Sequence, residues 1–230
     1  MAQRGTLPSH AERGNVLIFI LLAIALGGIV TAVIMQGTQN VNQDIDSETL
    51  SVQISSVQQY ATELQNGVRL AMQNGISEDD LRFAHPDAPP AYGLITDNPE
   101  AQIFERFGGG VSYRLPPEDI QETPGPWEFY GGTALPNVGT DRAELIAVLP
   151  NVTEDFCEAM NRRLGYTGQP SDTAACLFSA ATGRYGDGTP PFFANSPNTV
   201  DAGSFSQSPA LSACVMCGVN YHYYHVLMVR

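Results

Sequence analysis

The spacing of apolar and polar residues divides the first third of the chain into two helical parts. Residues 16–35 form an uncharged run in which Thr31 alone carries a side-chain hydroxyl. At about 1.5 Å rise per residue, twenty residues span about 30 Å as a helix, which is the thickness of a bilayer's hydrocarbon core. Because a helix satisfies its own backbone hydrogen bonds, lipid can surround it. The run therefore predicts a transmembrane helix over residues 16–35.

The second part is an amphipathic pattern over residues 47–74. Its apolar positions recur at alternating spacings of about four and three, a period typical of one face of an α-helix. These positions are Leu50, Ile54, Val57, Ala61, Leu64, Val68 and Ala71. Asn74-Gly75 is a suitable end for the helix. The two parts predict one long N-terminal helix over residues 15–75, with its continuity through residues 36–49 left open by Gly37 and the polar stretch that follows.

We expect the remaining residues, 76–230, to form an extracytoplasmic globular head. Alternating or aliphatic runs separated by proline and glycine predict strands at residues 111–115, 127–135, 144–149 and 221–229. A short helix is expected at residues 99–107, and another runs from an N-cap at Thr153 to Gly165. The predicted fold class is α+β, with the long helix packed on a roughly four-stranded antiparallel sheet and a disulfide-closed, loop-rich insertion over residues 166–212.

The charge distribution sets the expected orientation and excludes several functions. Arg4 and Arg13 precede the apolar run and no basic residue follows it before Arg69, so the positive-inside rule places the N-terminus in the cytoplasm and the head outside. A net charge of −13 disfavours nucleic-acid binding. The chain contains no lysine, which excludes a P-loop lysine or a Schiff base.

The four cysteines lie in the last third of the chain, and in an oxidising compartment they predict two disulfides. The sequence allows three connectivities. Pairing of Cys157 and Cys176 with the C-terminal cysteines closes the longer loops and restrains the unfolded chain more. A local bridge between Cys214 and Cys217 is nearly as plausible from the sequence.

The same cysteines have a spacing that also suits a metal site. Cys214 and Cys217 are followed by His222 and His225, four residue types that bind zinc. If residues 221–229 form a strand, however, the two histidines point to opposite faces and cannot meet one ion. Whether Asp187 and Asp201 hold calcium is left open. We therefore predict no catalytic residue, metal or cofactor, and no enzymatic activity.

The junction at Gly14 carries a resemblance to a known family. A short polar leader with basic residues, then glycine, then an apolar helix resembles the signal of type IV pilins and of the pseudopilins of type II secretion. The resemblance implies that a prepilin peptidase removes residues 1–14 by cutting between Gly14 and Asn15, and that the new N-terminus is methylated. It also implies assembly with other pilin-like subunits through the apolar helix, for which the candidate residues are Val16, Phe19, Gly27, Gly28 and Met35. The candidate helix–sheet packing residues are Leu50, Ile54, Val57, Ala61, Leu64 and Val68.

Two departures from the family pattern refine this implication. The fifth mature position, usually glutamate, is Phe19, and the proline common near mature position 22 is replaced by Gln36 and Gly37. Members lacking the glutamate are minor, tip-located pseudopilins, so the resemblance implies a minor subunit of a type IV filament or type II secretion system. Its expected partners are pilin-like subunits, the prepilin peptidase and inner-membrane lipid. It is expected to be a single-pass protein of the bacterial inner membrane with its head in the periplasm, or part of an extracellular filament. The alternative is a signal-anchored periplasmic enzyme or ligand-binding domain on a helical stalk.

Overall fold

The computed structural model describes residues 13–177, 184–186 and 192–230, and the side chains of residues 13–18 and 27–47 lie outside the description. The first element is helix α1, Arg13–Gln73. The chain divides into two units, Met1–Thr49 and Leu50–Arg230. Only the part of α1 from residue 50 onward therefore belongs to the unit that contains the sheet.

The amphipathic stripe of α1 supplies one wall of the main core. Ile54, Val57, Ala61, Leu64 and Val68 are all nearly inaccessible to solvent and belong to one cluster of buried side chains, against which Leu50 also packs. The helix ends where Gly75 adopts a φ of +94°, which a residue with a Cβ rarely tolerates. The predicted role of the stripe in packing against the sheet agrees with this burial.

A six-stranded mixed sheet forms the other wall of the core. Its spatial order is β3-β5-β6-β2-β1-β4. The four inner strands are antiparallel to one another, and the edge strands β3 and β4 pair in parallel with β5 and β1. The strands are β1 Glu128–Ala134, β2 Glu144–Val152, β3 Ser171–Asp172, β4 Asn198–Thr199, β5 Ser212–Cys217 and β6 Asn220–Met228.

The predicted fold class is wrong about this sheet, which has six strands and mixed pairing rather than about four antiparallel strands. Strands were expected near β1, β2 and β6, and these three exist. β5 was missed because it lies beside a region whose Gly, Pro and Ser content indicated loops. β3 and β4 are two residues each and have no periodicity to detect; both attach to the sheet through tertiary pairing.

Residues 99–115 also differ from the prediction, since they form neither the expected helix nor the expected strand. Arg82 N donates to Ala101 O at 2.9 Å and Ile103 N donates to Arg82 O at 2.9 Å, so the backbone here pairs with a distant segment. The buried Gln102 side chain accepts from Ala84 N and donates to the carbonyls of Leu94 and Asp97. These contacts compete with helical hydrogen bonds and prevail.

Helix α2, Glu154–Leu164, confirms the prediction between Thr153 and Gly165. The Thr153 hydroxyl accepts from Phe156 N, and Gly165 adopts a left-handed conformation with a φ of +87°. The three remaining short elements are 3₁₀ turns at Glu78–Asp80, Pro90–Tyr92 and Ala202–Ser204.

The two faces of the sheet bury different sets of side chains. Leu145, Ala147 and Leu149 of β2 point into the core shared with α1, whereas Ile146 and Val148 join a second cluster on the opposite face. This alternation is the period-two pattern of a strand buried on both sides. The sheet is therefore covered on one face by helix and on the other by loops.

Candidate functional site

The most conspicuous surface in the described residues is an apolar row on α1 at residues 19–26. Its six large side chains are all more than half exposed: Phe19, Ile20, Leu21, Leu22, Ile24 and Leu26. Contiguous apolar surface of this kind is unusual on a soluble monomer and marks an interaction site. We call residues 19–26 the apolar row. Every side chain in it is large and aliphatic or aromatic except for two alanines.

Among the residues that the structure describes, no helix is long and apolar enough to cross a membrane. The predicted transmembrane helix over residues 16–35 and the predicted single-pass inner-membrane location are therefore corrected.

The residues of the predicted processing site lie at the start of α1. The helix begins at Arg13, so Gly14 and Asn15 are in its first turn. The side chains of Val16, Gly27, Gly28 and Met35, which we assigned to assembly, lie outside the described residues. Of the five assembly residues, Phe19 alone has a described side chain, and it is 64% exposed.

The four cysteines form two disulfides, Cys157–Cys214 and Cys176–Cys217. The first joins α2 to β5 and the second joins the loop after β3 to the end of β5. Positions 214 and 217 are three residues apart on one strand, so their side chains leave opposite faces of the sheet. This is why the local bridge does not form. The bonds close loops of 57 and 41 residues and restrain the loop-rich insertion between α2 and β5.

The two histidines of the considered zinc site also lie on a strand, β6, three residues apart. His222 Nδ1 accepts a hydrogen bond from Asn151 N at 3.2 Å. Burial lowers the pKa of His222 and that of His225 to about 4, so both rings are neutral at physiological pH. With both cysteines oxidised, no metal ligand set remains here. In the described ranges no group of three or more metal-binding side chains gathers elsewhere.

Of the two candidate calcium ligands, Asp187 lies outside the described residues, whereas the Asp201 side chain accepts a hydrogen bond from Gly203 N in a local turn.

An ion pair between the buried Glu128 and the partly exposed Arg184 was not predicted from the sequence. Arg184 donates to both carboxylate oxygens of Glu128, at 2.5 and 2.8 Å, and Tyr92 OH donates to the same carboxylate at 2.8 Å. The hydrogen bond to Glu128 raises the pKa of Arg184. Phe129 N also donates to the Tyr92 hydroxyl. These hydrogen bonds all connect β1 to neighbouring loops. These contacts are those of a structural bridge between β1 and the loops that carry Tyr92 and Arg184.

A second buried carboxyl, Glu144, stands at the start of β2. Its side chain is fully inaccessible, and neither carboxyl oxygen has a hydrogen-bond partner in the described part of the chain. Burial raises its pKa to about 7, against a smaller opposing effect from nearby backbone groups and Arg230. Glu144 is therefore partly protonated near neutral pH.

Comparison of the chain with known proteins adds no assignment, since no family model, no curated protein and no solved structure matches it. The features that bear on function are therefore the apolar row, the junction at Gly14 and the unit Leu50–Arg230.

Proposed function

We propose that this chain is a pilin-like structural subunit, a minor pilin or pseudopilin, that assembles through α1 with the equivalent helices of other pilin-like subunits. The observation that carries the proposal is the apolar row. Six large side chains, each more than half exposed, gain free energy when another apolar surface covers them. At about 1 kcal/mol for each half-exposed side chain, the row contributes several kcal/mol to association.

The leader junction supports the same proposal. Gly14 separates a leader that carries Arg4 and Arg13 from the apolar part of α1. Removal of residues 1–14 by a prepilin-type peptidase exposes a helix that starts at Asn15, with the apolar row beginning four residues later. The helix then presents its apolar surface near a free amino end, where a neighbouring helix can pack along it.

The organisation of the second unit also suits this role. Residues 50–73 of α1 belong to the unit Leu50–Arg230, and the apolar stripe of this segment is buried in the same cluster as side chains of the sheet. Two disulfides hold the insertion closed. The Glu128 carboxylate is already held by Arg184 and Tyr92, and Glu144 is fully inaccessible. Assembly therefore accounts for more of the molecule than catalysis does.

A charge placed in the apolar row tests the proposal. Ile24 is 68% exposed, so Ile24→Glu leaves the unit Leu50–Arg230 intact while placing a carboxylate where a neighbouring helix would pack. An unpaired buried charge is strongly unfavourable. We expect sedimentation of the processed chain to change from assemblies to monomers, with Ile24→Leu as the matched control that retains assembly. Equal assembly by the Glu and Leu variants would contradict the proposed role of the row.

A further inference from the structure

A cavity with a volume of about 630 Å³ lies beside residues 115–126. Its walls include four prolines, at positions 116, 117, 124 and 126, together with Leu115, which is 63% exposed. Its size falls in the range of cavities that accept a large side chain or a small ligand. We call this the proline cavity.

Hydrogen bonds to α1 and β2, together with one inside the loop, hold the proline cavity open. Gln53 of α1 donates to Glu118 O at 2.8 Å, and Gln121 donates to Pro150 O at 2.7 Å. Gln121 also accepts from Gly125 N. Beneath the loop, Ile120 is fully buried. Because these contacts fix the backbone on both sides, the concavity exists before any partner arrives, which lowers the entropic cost of binding.

The rim of the proline cavity is acidic. Glu118 and Asp119 line it and Glu122 lies next to it in sequence, and all three are exposed. None of the three makes an ion pair within the residues that the structure describes. An apolar cavity with an unpaired acidic rim fits an apolar side chain next to a cation.

The same unit presents such a pair at its other end. Phe107 is 71% exposed, and its neighbour Arg106 is exposed and free of ion pairs in the described residues. Phe107 shares a cavity with Asn74 and Ile76, at the end of α1. The proline cavity instead contacts α1 at Gln53. Twenty-one residues of helix separate the two ends, or about 30 Å, so Phe107 cannot reach the cavity of its own chain.

Resting on the proposed assembly function, we infer that Arg106 and Phe107 of one copy dock into the proline cavity of a second copy. Phe107 fills the space between the prolines and Arg106 pairs with Glu118 at the rim. The donor and acceptor surfaces are different and lie at opposite ends of α1's packed segment, so the contact is head-to-tail. A head-to-tail contact that does not close into a ring propagates as a filament. The contact therefore adds a directional interaction to the packing of α1.

The position of the contact is tested by photocrosslinking of the full chain. Phe107 is replaced by p-benzoylphenylalanine, and adducts between copies are mapped by mass spectrometry. We expect adducts within residues 115–126 of the second copy and none there from the same probe at Val219, a control site that is 87% exposed.

A probe at Ile24 separates this inference from the proposed function. If the Ile24 probe crosslinks copies but the Phe107 probe does not reach residues 115–126, the docking contact is wrong and the assembly proposal stands. If neither probe joins two copies, both are wrong.

A reciprocal charge exchange tests the chemistry of the contact. Arg106→Glu and Glu118→Arg each place like charges together, and each is expected to lower the association constant about tenfold at low salt. When the two variants are mixed, each contact between unlike copies brings one arginine and one glutamate together. A chain that carries both changes restores the same attraction with the two charges exchanged. Recovery of association by sedimentation velocity supports the pairing. Failure of both the mixture and the double variant to recover overturns it.

Discussion

Leu64 of α1 provides the sharpest test of how the amphipathic stripe holds the unit Leu50–Arg230 together. Its side chain is fully inaccessible and lies in the main core, whereas Leu70, six residues further along the same helix, is 44% exposed. The pair Leu64→Ala and Leu70→Ala therefore changes the same chemical group in the same helix. Only the burial of the deleted atoms differs.

The expected cost at position 64 follows from the lost burial and the cavity left behind. Leu→Ala changes in well-packed cores destabilise by about 2–5 kcal/mol. We expect about 3 kcal/mol for Leu64→Ala, because Leu64 is fully inaccessible and belongs to the main core. For Leu70→Ala the loss of partial burial is offset by the better helix propensity of alanine, so we expect less than about 1 kcal/mol.

Trp127 makes the measurement direct. It is the single tryptophan in the chain, it is 1% exposed, and its ring lies 5.7 Å from that of Tyr60 on α1. Its fluorescence during urea unfolding therefore reports separation of α1 from the sheet. A free energy of unfolding that falls equally, within about 0.5 kcal/mol, for the two variants would refute the claim that the stripe is core and Leu70 is surface.

Further predictions concern a glycine and the buried titratable groups. A Cβ at Gly139, whose φ is +56°, would overlap the carbonyl oxygen of Arg230, whereas a Cβ at Gly168, whose φ of +84° is also positive, would meet open space. Gly139→Ala should therefore destabilise more than Gly168→Ala, and an equal loss of thermal stability in the two variants would contradict this. The two histidines of β6 have pKa values lowered to about 4, so the unfolded chain binds more protons than the folded chain between pH 4 and 6.5. The free energy of unfolding should therefore fall as the pH falls through this range, by as much as about 3 kcal/mol for each ring. Unfolding measurements across the same range test this. The pKa of Glu144 is raised to about 7, so the folded chain binds more protons between pH 4.5 and 7, and this group's contribution is lost as the pH rises. Glu144→Gln removes that loss, and its stability relative to the parent chain should therefore increase from pH 5 to pH 8; a constant difference would contradict the raised pKa.

The sequence was most informative where the determining signals are local. The stripe from Leu50 to Val68 follows from helix period alone, and α2 follows from a cap at Thr153 and a stop at Gly165, each within a few residues of the element. The preferred disulfide pairing also agreed with the structure, because the chain-entropy argument depends only on positions along the chain.

Elements that depend on distant partners were missed. Residues 99–107 have the start and stop signals of a helix, yet residues 101–103 pair with Arg82, and the buried Gln102 side chain satisfies three backbone groups. The Glu128–Arg184 bridge joins residues 56 apart and leaves no local pattern. The membrane location predicted from the apolar run over residues 16–35 is contradicted, since no helix in the described part of the chain is long and apolar enough to cross a bilayer.

The intact mass of the protein isolated from its own host tests the central claim most directly. The account predicts a chain that begins at Asn15 with an added methyl group, and it predicts that Gly14→Ala keeps residues 1–14 attached. A native protein that retains its first fourteen residues, or a Gly14→Ala variant that matures normally, would contradict the assignment as a pilin-like subunit.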